Sequence, residues 1–135
     1  MATRVGAFLI LLLLASCKSK PAAQAELTPE AKSYASRNLK LSDISMKATE
    51  SLGGQVLTEI EGKVTNAGDR TVDYASVACV FYDTINQMVL REKVAIVKKP
   101  LKPGETRAFR LPFDNIPQSW NNQLPQVVIS QIRLS

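Results

Sequence analysis

Val56-Leu57-Thr58-Glu59-Ile60-Glu61-Gly62-Lys63-Val64-Thr65 decides the fold. Val56, Thr58, Ile60, Gly62 and Val64 fall on one side, and Glu59, Glu61 and Lys63 on the other. That period of two fits an extended strand with one face buried and one wet. The same period recurs on both sides of this segment. Upstream, about Leu41 to Thr49 places Ile44, Met46 and Ala48 together. Downstream, Thr71 to Tyr82 is the least polar run, as expected of a central strand. Gln87 to Val97 puts Met88, Leu90, Val94 and Ile96 on a common face. A fifth strand sends Phe109, Leu111 and Phe113 inward with Arg110 facing solvent, and Gln126 to Leu134 makes the sixth.

Turn chemistry separates these runs. Gly53-Gly54 ends the first connection, Asn66-Ala67-Gly68-Asp69 supplies turn residues able to adopt positive φ, and Asp83 to Asn86 turn into the fourth strand. Lys102-Pro103-Gly104 predicts a type II turn, with proline at its second position and glycine at its third. Pro112 lacks an N–H for a sheet ladder, which places the fifth strand at an edge or a bulge. Six strands without a long helix predict an all-β fold over residues 39–135, an antiparallel sandwich of immunoglobulin or fibronectin type. A small closed barrel is the alternative. Ahead of it, Thr28-Pro29-Glu30 is a helix start with cap hydroxyl, proline and acid in order. It predicts a short helix over 28–38 that packs only Tyr34 and Ala35 on the domain.

The N-terminus reads as an address. Arg4 supplies a positive charge, Val5 to Leu14 an apolar stretch of ten residues, and Leu14-Ala15-Ser16-Cys17 the end of it. A transmembrane helix needs roughly 18 to 20 apolar residues, more than are present. The pattern resembles the lipobox of bacterial lipoproteins. That resemblance implies a signal peptide over 1–16, cleavage before Cys17, and diacylglycerol with fatty chains such as palmitate on the Cys17 thiol. Two or more acyl chains anchor a protein stably, where one does so only marginally. Residues 17–27 are small and polar and read as a flexible tether. Lys18 stands where inner-membrane lipoproteins often carry aspartate, which points to the outer membrane, facing the periplasm.

A second resemblance concerns the domain. Ile60-Glu61-Gly62-Lys63-Val64-Thr65-Asn66, Val80-Phe81-Tyr82-Asp83, Leu101-Lys102-Pro103-Gly104-Glu105 and Phe109 resemble the FxLYD-type domains of bacterial envelope proteins. The signature word itself departs from that pattern, reading Cys79-Val80-Phe81-Tyr82-Asp83. Ile116-Pro117-Gln118-Ser119-Trp120-Asn121 resembles a related set of lipoprotein domains of unknown function. The likeness spans about Leu39 to Ser135 and implies a fold and no reaction.

Composition weighs against catalysis. The 135 residues contain no histidine, which removes the commonest general base and zinc ligand. With Cys17 lipidated, Cys79 has no partner for an intramolecular disulfide, and its place in Val77-Ala78-Cys79-Val80-Phe81 predicts a buried, inert thiol. No EF-hand spacing and no phosphate-binding glycine motif occurs, so no metal, cofactor or catalytic residue is expected. Glu59 and Glu61 form the best carboxylate pair, yet Lys63 extends their face into an ordinary row of solvated charge. The net charge of +5 falls to +4 once Arg4 is cleaved away. An exported protein with that balance meets lipid headgroups or glycans, and nucleic acid is not an expected partner.

Two surface features remain. Lys93, Lys98, Lys99, Lys102 and Arg107 gather around one connection, either as solubilising charge beside strand edges or as a patch for anionic lipid or glycan phosphate. Gln118, Trp120, Asn121 and Asn122 combine an aromatic ring with amides, a composition common in contact loops. Trp120 can equally close one end of the sandwich with its N–H on a backbone carbonyl. The expected function is a non-enzymatic binding or assembly module, anchored by lipid in the cell envelope and contacting an envelope protein or glycan. The alternative is a carrier of a small apolar or lipid ligand, which needs a cavity of roughly several hundred Å3. The oligomeric state is open.

Overall fold

The computed structural model describes residues 28–50, 52–54 and 56–135. The expected signal peptide over 1–16, the expected tether over 17–27 and Cys17 lie outside the described residues. The elements are α1 (Pro29–Asn38), β1 (Leu39–Glu50), β2 (Val56–Asn66), β3 (Val72–Tyr82), β4 (Met88–Val97), β5 (Thr106–Phe113) and β6 (Gln126–Leu134). They form two separate three-stranded antiparallel sheets, ordered β1-β2-β5 and β4-β3-β6. The fold is therefore an open antiparallel β-sandwich, and the described strands do not close into a barrel. Ile60 and Val64 of β2, Phe109, Leu111 and Phe113 of β5, and Val77, Cys79 and Phe81 of β3 fill the space between the sheets.

The alternation in β2 holds, with Thr58, Ile60, Gly62, Val64 and Asn66 buried in turn. Strand β3 is buried on both faces because it is central and its outward residues are small. Ala78 sits between Lys93 on β4 and Val128 on β6, and Ser76 between Ala95 and Gln131. Pro112 lies on β5, the edge of its sheet, opposite Glu59. The predicted type II turn forms, with Gly104 at φ 83 and the Glu105 N–H donating to the Lys102 carbonyl at 3.0 Å.

A bulge extends the core face of one strand and corrects the face assignment of another. In β1 the register breaks between Ser42 and Ser45, with Asp43 at φ 54. One extra residue reverses the parity, so Leu39 and Leu41 before the break share the core with Ile44 and Met46 after it. The strand also starts two residues earlier than the pattern suggests, and Ala48 is exposed. In β4 a shift between the Phe81 and Tyr82 partners turns Met88 out to solvent while Leu90 and Val94 pack inward.

Helix α1 begins as predicted. Thr28 Oγ1 accepts from the Ala31 N–H at 3.1 Å, with Pro29 in the first turn. It buries Ala31 as well as Tyr34 and Ala35. The Asn66–Asp69 segment departs from expectation, since none of its residues takes a positive φ. Gly68 is there for space: a Cβ would collide with the Tyr34 hydroxyl and Asn38. Asn66 is fully buried. Its Oδ1 accepts from the Tyr34 hydroxyl at 2.7 Å, and its Nδ2 donates to the carbonyls of Arg70 (2.7 Å) and Leu101 (3.0 Å). The chain enters the sandwich at this end, where Glu30 pairs with Arg70 at 2.8 Å.

Candidate functional site at the apolar end

The opposite end is some eight residues of β2 away, about 27 Å at strand rise. Here β1 hands over to β2, β3 turns into β4, and the long connection from β5 leads to β6. The β3–β4 turn is organised by Asp83, whose Oδ1 accepts from the N–H groups of Ile85 (2.9 Å) and Gln87 (2.8 Å), with Asn86 at φ 64. That frame leaves Ile85 projecting outward, 70% exposed. Leu52, Val56, Leu57, Met88 and Leu124 are also exposed, all in strand ends and connections of this end. Among the described residues, Val128 is the only exposed large apolar side chain that lies elsewhere. Scattered exposed apolar residues are ordinary, whereas their gathering at one end makes that end the candidate site.

Trp120 organises the long connection. It forms a bridge with Asp83, and its ring meets Phe81 edge-on with centroids 5.5 Å apart. Phe81 in turn meets Phe113 at 5.1 Å, also edge-on. The ring therefore closes this end of the core. The expected hydrogen bond to a carbonyl is not made: Nε1 is buried and has no acceptor. An unpartnered buried donor costs about 1–3 kcal/mol, so packing against Phe81 outweighs it.

Beside Trp120 runs an open depression of about 480 Å3, between the start of β2 and the β5–β6 connection. Val56, Phe113 and Ile116 give it apolar walls, and Gln118 and Asn122 give it amides. Of the predicted contact residues, Gln118, Trp120 and Asn122 therefore come together. Asn121 does not join them. Its N–H donates to the Tyr82 carbonyl at 2.9 Å and its Oδ1 accepts from the Gln123 N–H at 2.9 Å, so it holds the loop in place. Val56 is exposed on the rim although alternation places it on the inward side of β2, because periodicity does not say where the opposing sheet stops.

The basic residues divide. Lys98, Lys99 and Lys102 are exposed in the β4–β5 connection, at the end where the chain enters. Arg107 turns back to donate to the carbonyls of Lys99 (2.6 Å) and Pro100 (2.9 Å), and it pairs with Glu105 at 3.1 Å. Lys93 stands in mid-strand on β4, opposite Ala78. The five do not form one patch.

Glu59 and Glu61 lie in a charge lattice on the outer face of β2. Lys47 Nζ is 3.8 Å from Glu59 and 3.2 Å from Glu61, and Arg110 Nε is 3.6 Å and 3.5 Å from the same pair. Oε2 of Glu61 makes no well-aligned hydrogen bond, but these two cations compensate it. Bonding to Lys47 first, then the charges of Lys47 and Arg110, hold Glu61 below the ordinary carboxylate value. A general acid needs the opposite shift. Cys79 is fully buried, and desolvation, aided by the nearby Glu92 charge, pushes its thiol up to about 11. Such a thiol is unreactive near neutrality. Among the described residues, no three of His, Cys, Asp or Glu gather as a metal site, and no helix is long and apolar enough to cross a membrane.

Fold and site together define a class: a six-stranded antiparallel β-sandwich with one polar, hydrogen-bonded end and one open, apolar end. Comparison with protein-family models, with curated proteins and with solved structures finds no match for this chain.

Proposed function

We propose that this protein is a bacterial envelope lipoprotein, tethered through lipid on Cys17, whose sandwich is a non-enzymatic binding or assembly module. The observation that carries the contact surface is the gathering of Val56, Leu57, Ile85, Met88 and Trp120 at one end. The partner is an envelope protein or glycan that covers these residues and the depression beside Val56 and Trp120. The polarity of the domain supports the anchor reading. The chain enters beside Glu30 and Arg70, so a lipid on Cys17 holds that end nearer the bilayer and leaves the apolar end presented outward. Lys98, Lys99 and Lys102 then face the same way as the anchor, where anionic headgroups attract them. The likeness to FxLYD-type envelope domains agrees with this reading and adds no reaction to it.

The carrier alternative has less support. Phe81, Phe109 and Phe113 occupy the space between the sheets that an enclosed ligand requires.

Two experiments test the proposal. Cys17→Ala is expected to move the protein out of the membrane fraction; retention there overturns the anchor. A photocrosslinker placed at Ile85 in intact cells is expected to capture a defined partner, and the same group at Lys102 is not. Equal capture from both positions, or capture from Lys102 alone, overturns the assignment of the contact end.

A further inference from the structure

The two ends of the sandwich differ in the sign of their charge as well as in their hydrogen bonding. The segments that make the apolar end, residues 48–58, 82–90 and 112–126, contain no lysine or arginine. Their charged residues are Glu50, Asp83 and Asp114, all acidic. The fold brings these three around one place. Glu50 pairs in register with Val56, Asp114 lines the depression beside Trp120, and Asp83 bridges to Trp120. Glu50 and Asp114 are exposed, and Asp83 is half-buried. None of the three makes an ion pair among the described residues. Cations on the neighbouring strands do not offset them. Lys47 and Arg110 are paired with Glu59 and Glu61, and Arg91 on β4 is followed by Glu92.

This rim is opposite in sign to the chain as a whole, whose net charge is +5. Lys98, Lys99 and Lys102 lie at the entering end, about 27 Å away by strand rise. Screening at physiological salt acts over about 8 Å, so a partner at the apolar end meets the three acids and not the distant lysines. Inside the rim the exposed apolar groups are aliphatic or thioether: Leu52, Val56, Leu57, Ile85, Met88 and Leu124. Such side chains gain by burial against other apolar side chains. A glycan would have to bury hydroxyls against them without hydrogen bonds, which is costly.

We propose that the partner of this end is a cationic polypeptide, a protein surface with apolar side chains at its centre and lysine or arginine around them. The inference rests on the apolar end being the contact surface and names what that surface accepts. The apolar centre covers the aliphatic cluster, and the basic margin meets Glu50, Asp83 and Asp114, as in interfaces with an apolar core and a polar rim. Anionic lipid headgroups and phosphate-bearing glycans face like charge here, and their attraction is to the lysines of the opposite end. The three acids act chiefly on encounter rate and on choice of partner.

The test uses the whole lipidated protein in intact cells, with a photocrosslinker at Ile85 and the captured segment mapped by mass spectrometry. The expected adduct is protein, with lysine or arginine beside apolar residues at the crosslinked surface. Glu50→Lys with Asp114→Lys is expected to lower the yield by about fivefold or more, and Lys98→Glu with Lys99→Glu to leave it within about twofold. Because Glu50 and Asp114 are exposed, melting should move by no more than a few degrees. Defined probes are then added to the purified protein in non-ionic detergent, where Trp120, the chain's sole tryptophan, reports binding by its fluorescence. A peptide of alternating leucine and lysine is expected to bind about tenfold more tightly than its leucine–glutamate counterpart. A glycan or lipid adduct, an acidic captured surface, a yield that ignores the rim reversal, or a glutamate peptide that binds as tightly each overturns the proposal. If Ile85 captures nothing and neither peptide moves Trp120, the contact-end reading falls with it. Capture at Ile85 that is indifferent to the rim charges overturns the cationic partner alone.

Discussion

At the end where the chain enters, Tyr34, Asn66 and Arg70 lock together, and both side-chain polar atoms of the buried Asn66 amide have partners. At the far end the Trp120 side chain is held by ring packing alone, its indole N–H has no acceptor, and Ile85, Met88 and Val56 stand in water. The sheets between are continuous, so the contrast comes from what caps them. One cap is a helix and a turn packed to mutual hydrogen bonding. The other is a set of loops framed by Asp83 and Asn121 that leaves apolar side chains outward. Stability concentrates where polar groups are satisfied, and contact capacity where apolar groups are not. A domain of about a hundred residues can carry such an exposed end because the opposite cap is fully bonded.

The sharpest way to break this comparison is Asn66→Ala. It leaves the Tyr34 hydroxyl and the Arg70 and Leu101 carbonyls short of a buried partner, and is expected to cost about 3 kcal/mol. In a domain of this size that lowers Tm by roughly 10–20 °C, read by calorimetry. A loss under about 1 kcal/mol would mean that the polar end is not the stabilising one. Next is a pair of glycines. Gly68→Ala drives a methyl into Tyr34 and should cost about 2 kcal/mol, whereas Gly53→Ala, with open space around it at the apolar end, should stay within about 0.5 kcal/mol by chemical denaturation.

Trp120→Phe sharpens the contrast from the other side. It keeps an aromatic ring against Phe81 and removes the orphaned donor, so its expected cost is under about 1.5 kcal/mol. A larger loss would reveal that the indole N–H has an acceptor in solution. The smallest expected effect is that of pH on the polar end. The Lys102 N–H bonded to Glu105, then the Arg107 guanidinium, hold the Glu105 carboxyl below its ordinary 4.5. A lowered folded-state value means that this contribution is present above about pH 4.5 and is lost as pH falls through the lowered value. Glu105→Gln is expected to flatten that acid limb of the stability curve, measured by denaturant midpoints from pH 6 downward.

Much of the architecture is legible in the chain. Alternation in β2, the apolar run of β3, the Thr28 cap and the Pro103-Gly104 turn each translate directly into an observed element, because each depends on neighbours within a few residues. Face assignment fails near Met88, where a bulge intervenes, since one extra residue inverts the side chains beyond it and leaves no strong local mark; in β1 the bulge at Asp43 instead adds Leu39 and Leu41 to the face that Ile44 and Met46 share. Asn66 reads as a turn residue, and its role as the buried hub needs Tyr34 from 32 residues away. The contact loop is identified by composition, but Asn121 within it proves to be a brace and Val56, outside it, a rim residue.

Local sequence was enough to specify strands, turns, helix start and the two-faced pattern that demands a sandwich, because backbone propensity and periodicity are short-range properties. Tertiary structure alone settled which end is sealed by hydrogen bonds and which apolar residues find no cover. Those outcomes depend on where the second sheet ends and which distant groups come within bonding distance, and neither is encoded in any single stretch of residues.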